Sequence, residues 1–177
     1  GMDKPTAGTA VVAGVEVSNG KRLDMFRREK IGFVFQLHNL INSLSALENV
    51  LVPMYGIAKP KKEKIKRARE LLALVGLQDR ENYPPSKMSG GERHRVAIAR
   101  ALANTPEIIL ADEPTGDVDT KNGNRIMDLL ERINKEHGTT LINVTHNLAH
   151  ARRAPRIIEI VDGKNREVTN NFDPNLC

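Results

Sequence analysis

Four consecutive apolar residues, Ile108 to Ala111, are followed directly by two carboxylates, Asp112 and Glu113. A short apolar run that is opened by a proline, here Pro106, and closed by charged residues predicts a buried β-strand. Strands of this kind are typical of parallel sheets that are covered by helices. Because such sheets bind ligands at the carboxyl ends of their strands, the sequence predicts acidic groups at the ligand edge of an α/β fold.

The two carboxylates suit different tasks at such an edge. Asp112 is placed to bind Mg²⁺, since hard cations prefer oxygen ligands and Mg²⁺ usually takes only one or two carboxylates from a protein. Glu113 is then able to orient or deprotonate a water molecule. An isolated Asp-Glu pair is also common where a strand simply runs into a surface loop, and the remaining motifs decide between these two interpretations.

Further apolar runs predict the rest of the β structure. The predicted segments are a hairpin or bent strand over residues 9–17, a turn at Asn19-Gly20, buried strands over 31–35 and 139–145, a last apolar strand over 156–161, and an edge strand over 166–169. Gln36 follows the 31–35 strand and His146 follows the 139–145 strand. Together with the two acids, they place polar groups at three strand ends, which predicts a phosphoryl-transfer site.

Residues 45–85 have a helical pattern throughout, with Ser45 and Glu48 as a potential capping box. A longer helix over 60–75 is predicted to stop at Gly76. Strands that alternate with helices indicate one domain with a parallel sheet. We expect an α/β core over 1–44 and 86–170, an inserted all-helical subdomain over 45–85, and a tail over 171–177.

The segment Ser89-Gly90-Gly91-Glu92 precedes a predicted helix that runs to about Ala103. Its Ser-x-x-Glu spacing is that of a capping box, so helix capping alone would explain the serine and the glutamate. Capping does not explain the two adjacent glycines, which are entropically costly in a helix. Glycines at a helix N-terminus allow backbone amides to approach a ligand closely, and this end of a helix favours an anion.

The composition excludes several classes of protein. The net charge of +5 could suit nucleic acid, but aromatic residues make up only 3% and no base-stacking platform interleaves the basic residues, so we expect no nucleic-acid partner. The lone Cys177 argues against a disulfide framework and fits a reducing compartment. The sequence has neither an apolar run of about 18 residues nor a leader pattern, so a membrane role would require a partner.

Several motifs together resemble the ATP-binding-cassette (ABC) ATPases, the nucleotide-hydrolysing subunits of ABC transporters. The matching motifs are the Q-loop at Gln36, the signature motif at 88–102 with Glu92 where the family more often has Gln, the Walker B strand and catalytic Glu at 108–113, a D-loop at 116–119 whose first residues differ from the commonest form, and the switch histidine at His146. Within the family, segments 3–8, 33–36 and 47–50 resemble the lipoprotein-release and macrolide-export branch.

The resemblance implies a P-loop NTPase-like α/β fold, ATP and Mg²⁺ as ligands, and two partners. In the family, two subunits sandwich two ATP molecules, and their closure drives a membrane permease, so the subunit works in the cytoplasm at the inner face of the membrane. The residues it assigns are the catalytic Glu113, His146 and Gln36, the Mg²⁺ ligands Asp112 and Gln36, and the nucleotide-binding Ser89, Gly90, Gly91, Glu92 and Asp119.

One family motif has no counterpart, because the sequence contains no Gly-x-x-x-x-Gly-Lys-Ser/Thr phosphate loop. In the family this loop, with its strand and helix, stands just ahead of the segment that matches Asp3. We therefore expect a sheet that lacks a strand beside the Walker B strand, and we expect unpaired edges to cause a non-native oligomer, strand exchange between chains or local rearrangement.

The missing loop also predicts weak nucleotide binding. Losing three charge-assisted hydrogen bonds costs about 4–9 kcal/mol, and about 4 kcal/mol separates micromolar from millimolar affinity. The chain alone is therefore expected neither to bind nor to hydrolyse ATP appreciably. Two other functions stay open: a non-catalytic partner or remnant that offers its signature motif in trans, and a soluble ABC ATPase acting on nucleic acid or ribosomes, which would usually need a second cassette or a coiled-coil insertion.

Overall fold

Three parallel strands form the central sheet, in the order β3, β4, β5. β3 spans Ile31–Val34, β4 spans Ile108–Asp112 and β5 spans Thr140–Val144. The parallel sheet that the sequence predicts is therefore confirmed. The computed structural model describes residues 1–18 and 23–169, so the turn predicted at Asn19-Gly20, the predicted tail and Cys177 lie outside the described residues.

Two hairpins and six α-helices accompany this sheet in the described part of the chain. The strands of the hairpins are β1 (Val11–Val12) with β2 (Val15–Glu16), and β6 (Arg156–Val161) with β7 (Lys164–Thr169). The helices are α1 (Leu23–Lys30), α2 (Ala46–Leu51), α3 (Lys61–Leu74), α4 (Gly90–Ala101), α5 (Thr120–His137) and α6 (Leu148–Ala151). Single 3₁₀ turns lie at Val52–Met54, Gln78–Arg80 and Pro85–Lys87.

The predicted helix boundaries between residues 45 and 76 are confirmed. Ser45 caps α2 through a reciprocal capping box with Glu48, which satisfies two amides that the first turn would otherwise leave unpaired. Helix α3 follows Pro60 and ends before Gly76, whose φ of +70° suits a residue without a Cβ. The exact boundaries of a separate helical subdomain remain a prediction.

Helix α4 is the centre of the packing, because it contacts β3, α2, α3 and α5. Val96 and Ile98 on this helix are fully buried, and they share one core with Leu72 of α3 and Ile109 of β4. A Cβ at Gly32 would lie only 2.5 Å from the Ala101 carbonyl oxygen. A glycine is therefore required where β3 crosses the C-terminal end of α4. This packing fixes α4 relative to the carboxyl ends of the sheet strands.

The prediction that residues 139–145 form a buried strand is wrong in its burial. Within residues 1–18 and 23–169, β5 pairs with β4 on one side only, and Ile142 and Val144 are 48% and 59% exposed. The last apolar strand, β6, pairs with β7 and with no other strand of the described residues, and Ile158 and Ile160 are also exposed. An apolar run indicates that a surface needs a covering partner, but it does not show that the same chain supplies one.

The expected position of an additional strand is also wrong. β4, the Walker B-like strand, has β3 on one side and β5 on the other, so both of its edges are paired. A strand cannot be added beside β4 without displacing one of these two. The described sheet instead has a free edge on β5, where the exposed apolar side chains lie.

A search of the described helices finds none that combines the length and the apolar character needed to cross a bilayer.

Candidate functional site

The carboxyl ends of the three parallel strands lie side by side, and the predicted rim residues follow them directly. Asp112, the last residue of β4, pairs with Val144, the last residue of β5. Glu113 comes next after β4, while Gln36 and His146 each stand two positions beyond the ends of β3 and β5. The structure therefore places the predicted polar groups at one edge of the sheet.

Glu113 and His146 are in direct contact. One carboxylate oxygen, Glu113 Oε1, accepts a hydrogen bond from the His146 amide at 2.7 Å and lies 2.6 Å from His146 Nδ1. The other, Oε2, accepts a bond from the Thr145 hydroxyl at 3.1 Å. Because an ionised carboxylate can only accept, Nδ1 of His146 carries the hydrogen in this contact. The imidazole ring is thus oriented by the carboxylate.

These hydrogen bonds also set the charge of Glu113. Partial burial by itself would raise the pKa of this carboxyl, but the bonds from the His146 amide, the His146 ring and the Thr145 hydroxyl outweigh burial and lower the pKa below its ordinary value. Glu113 is therefore ionised at neutral pH. Its backbone is in the left-handed region, with φ of +43°, which is uncommon for a residue with a side chain.

Gln36 lies against the loop that follows Glu113. Its Nε2 is 2.9 Å from the position that a Cβ on Gly116 would take, so any larger residue at 116 would displace the Gln36 side chain. Asp112 is exposed at the end of β4 and directly precedes Glu113. The oxygen groups of Gln36 and Asp112 are thus available at the ends of neighbouring strands.

The Ser89 turn has the predicted capping box. The Glu92 amide donates to Ser89 Oγ at 3.2 Å, and the Ser89 amide donates to Glu92 Oε2 at 2.8 Å. The first four amides of a helix have no helical acceptor. Since the Arg93 amide donates to the Ser89 carbonyl, the amides of Gly90 and Gly91 are the two that remain available in the first turn of α4.

The two glycines are not required by the packing of the described residues. A Cβ at Gly90 would meet nothing closer than 3.9 Å, and one at Gly91 nothing closer than 3.7 Å, which are ordinary contacts. Neither residue has a positive φ. An external ligand that approaches the backbone closely would explain why both positions lack a side chain.

A polar cavity of about 520 Å³ opens in front of these glycines. Besides the Ser89 turn, it is lined by Arg95, Asp117, Asp119, Asn122 and Arg125. The loop 115–119 therefore has one end against Gln36 and the other at this cavity. The two parts of the predicted site, the strand rim and the Ser89 turn, are connected through that loop.

Two predicted nucleotide-binding side chains are already engaged within the chain. Glu92 caps α4 and pairs with Arg80 at 3.2 Å, and its pKa is lowered chiefly by the Ser89 amide. Asp119 caps α5 by accepting the Asn122 amide at 3.0 Å, which lowers its pKa as well. Both residues line the cavity, but their carboxylates bind helix amides.

Sequence reasoning missed two participants in the site, Thr145 and His150. The Thr145 hydroxyl holds Glu113, and the alignment of β4 with β5 would have placed it there. His150 is buried and its Nδ1 lies 3.0 Å from Thr115 Oγ1, which ties α6 to the loop after Glu113. No sequence pattern predicts the contact between His150 and Thr115, because the two residues are far apart in the chain and α6 is only one turn long.

Comparisons with known proteins show to which family the chain is similar. The family profile described as "ABC transporter" matches residues 1–116. An uncharacterised ABC transporter ATP-binding protein of Thermotoga maritima is 51% identical over 165 residues, which cover 92% of this chain and 70% of the relative. The lipoprotein-releasing system ATP-binding protein LolD of Aquifex aeolicus is 49% identical, with coverage of 92% and 73%.

Two further matches connect the chain to larger and to solved proteins. The macrolide export ATP-binding/permease protein MacB of Salmonella typhimurium is 48% identical over 92% of this chain but only 25% of its own length. The dimeric ATP-binding cassette MJ0796 in a post-hydrolysis state, bound to ADP and Pi, superimposes with a TM-score of 0.84 at 44% identity, covering 97% of this chain and 77% of that chain. This protein belongs to the ABC transporter ATP-binding family, and its α/β fold is that of the ABC ATPase cassettes.

Proposed function

We propose that this chain serves as a LolD- or MacB-like ATP-binding subunit that couples ATP binding and hydrolysis to the export or release of a substrate through a membrane permease. The observation that carries the proposal is the contact between Glu113 and His146 at the carboxyl edge of a parallel sheet. The two available amides at Gly90 and Gly91 support it, because they suit a phosphate group.

The residues at the rim fit a magnesium nucleotide. Asp112 and Gln36 offer oxygen donors at the ends of adjacent strands, and Mg²⁺ typically takes one or two such groups and completes its shell with phosphate oxygens and water. When bound, the ion would neutralise charge on the phosphates. In our proposal these two side chains orient the magnesium ion, and Gly116 leaves room for the side-chain amide of Gln36.

Glu113 is proposed to orient the attacking water rather than to act as a strong base. Its lowered pKa keeps the carboxylate ionised but makes it a weak proton acceptor near neutral pH. Orienting the water suffices for this role, because most catalysis in phosphoryl transfer comes from alignment and electrostatics, and the ionised carboxylate supplies both a hydrogen-bond acceptor and a negative charge. His146, held by the same carboxylate, would contact the terminal phosphate.

The Ser89 turn is proposed to act on a nucleotide that is held by a second cassette. Its free amides and the lining cationic residues Arg95 and Arg125 face a cavity of about 520 Å³, which has room for a terminal phosphate. Two subunits arranged in this way would enclose two ATP molecules, and a dimer is also the state of the matched cassette.

A groove between α1, β3 and α4 is proposed as the permease contact. It has a volume of about 360 Å³ and a mainly apolar lining that includes Phe33, Phe35, Val52 and Pro53. Exposed Leu37 and Tyr55 follow these lining residues in the sequence. Apolar residues that surround a groove are typical of a site that receives a helix from a partner.

A second function is supported by a different observation. The Ser89 turn is fully formed, whereas the sequence contains no phosphate loop with its Lys and backbone donors. In this second function, the chain offers its signature motif to a complete cassette without binding ATP itself. Adding it to a complete cassette tests this second function, because we expect ATP hydrolysis to rise and Glu113→Gln in this chain to leave the rise unchanged. The first function instead requires Glu113 for hydrolysis, which the fusion described next measures.

The test of the proposed function fuses a family phosphate-loop segment, with its strand and helix, ahead of Asp3. We expect the fusion to hydrolyse ATP and Glu113→Gln to reduce the rate at least about 100-fold, because a positioned carboxylate contributes on this scale. Glu136→Gln, an exposed position on α5, is the matched control and should leave the rate unchanged. Full activity of the Glu113→Gln fusion, or no activity in the parent fusion, would contradict the assignment.

A further inference from the structure

Residues 36–39 are attached to helix α4 at two points along that helix. Near its C-terminal end, the Arg100 guanidinium donates to the carbonyl oxygens of His38, at 2.7 Å, and of Asn39. Nearer its N-terminus, the His94 ring packs against the His38 ring with 4.4 Å between centroids. The loop that carries Gln36 is thus joined to the helix that begins at the Ser89 turn.

The backbone of this loop needs such support. His38 and Asn39 both have positive φ values, +62° and +47°. Two successive residues with side chains rarely adopt the left-handed region, and such conformations persist where the surroundings determine them. Arg100 is mostly buried, which lowers its pKa through desolvation, but a guanidinium stays charged even so. Its fixed fork of donors matches the two carbonyl groups that this backbone presents together.

The contact between the two histidines is one of packing. His94 is fully buried, His38 is 8% exposed, and their ring planes cross at 70°. Both ring nitrogens of His94 lack a hydrogen-bond partner among the described residues. An edge-to-face arrangement of this kind is favourable for planar rings. The buried His94 ring therefore fixes the position of the His38 ring by van der Waals contact.

We propose that His94 and Arg100 are positioning residues that hold Gln36 over Gly116. The inference rests on the proposed function only for the role of Gln36, since the geometry itself concerns this chain alone. Gln36 Nε2 lies 2.9 Å from the Cβ position of Gly116, and we expect this approach to persist only while His38 and Asn39 keep their left-handed turn. Because α4 begins at the Ser89 turn, the same helix then fixes the position of the strand rim relative to the cavity at that turn.

The test is an NMR measurement on the full chain. The side-chain amide protons of Gln36 should give a nuclear Overhauser effect to the Hα protons of Gly116, because Nε2 is 2.9 Å from the Cβ position there. Arg100→Met keeps the apolar stem and removes the donors, and we expect this signal to fall at least five-fold. His94→Ala should weaken it similarly, and His94→Phe, which restores a planar ring, should recover most of it.

Ile133→Val on α5 is the control for a general loss of stability, because Ile133 is buried in the core on another helix. It should leave the signal between Gln36 and Gly116 intact. Unchanged signals in both Arg100→Met and His94→Ala, or equal loss in Ile133→Val, would overturn the proposal. An inactive phosphate-loop fusion would contradict the proposed function without altering this NMR result, so the two failures are distinguishable.

Discussion

The helices around α4 and the strands β5 and β6 contain similar apolar residues, but they bury them to very different degrees. Ile98 on α4 and Leu72 on α3 are almost inaccessible. Ile142 on β5 and Ile160 on β6 are 48% and 72% exposed. Covering a large aliphatic side chain completely is worth about 1.5–3 kcal/mol. The first region therefore stabilises the fold, whereas the second has apolar surface that the described residues leave uncovered.

The largest expected difference between the regions is in stability. Leu72→Ala should lower the free energy of unfolding by about 2–5 kcal/mol, because it leaves a cavity in the core. Ile160→Ala should change it by less than about 0.5 kcal/mol, because the side chain is already largely solvated. Urea denaturation of the two variants measures both values. Equal losses would show that β6 is as well packed as α3.

A smaller effect concerns the pH dependence of the buried region. Burial of His94, with a contribution from nearby His38, lowers its pKa from 6.5 to about 4. The folded state therefore binds fewer protons than the unfolded state between about pH 4 and 6.5, so this stability is fully present above pH 6.5 and is lost on acidification. We expect about 2 kcal/mol from this residue between pH 7 and pH 4.5.

The measurement is urea denaturation at several pH values. His94→Gln should lose less stability than the parent chain on acidification, and His137→Gln, at an exposed position in the last turn of α5, is the matched control and should retain the parent slope. Identical pH dependence in His94→Gln and the parent chain would show that His94 is not held neutral by burial.

The smallest effect concerns association through the exposed strands. We expect the chain to self-associate at high concentration, since an unpaired edge with apolar side chains favours added strands. Ile142→Lys combined with Ile160→Lys should weaken association about tenfold, or roughly 1.4 kcal/mol. Leu37→Lys, which changes an exposed side chain after β3, is the control and should leave association unchanged. Light scattering that shows a monomer at every concentration would contradict this expectation.

Local signals predict the well-packed region closely. The capping boxes at Ser45 and Ser89 and the helix end at Gly76 are all present in the structure. Each depends on residues within a few positions of one another, so backbone chemistry determines it. The apolar run before Asp112 likewise identified a central strand.

Long-range arrangements were less accessible. The contact between His38 and His94 joins residues that are far apart in the chain. From the sequence, both histidines would be interpreted as ordinary polar residues of the surface. The exposure of Ile142 and Val144, which point to the same face of β5, depends on what covers that face, and periodicity contains no such information. The left-handed backbone of Glu113 was equally unforeseen, because a non-glycine residue there gives no sequence signal.

The central proposal is that the strand rim at Glu113 and His146 and the Ser89 turn act on ATP, whereas the 177 residues contain no phosphate loop to hold it. Calorimetric titration of Mg·ATP into the purified chain tests it most directly. We predict a dissociation constant in the millimolar range or weaker, because the Lys and backbone donors of that loop normally supply charge-assisted bonds. A micromolar dissociation constant for the chain alone would contradict the account.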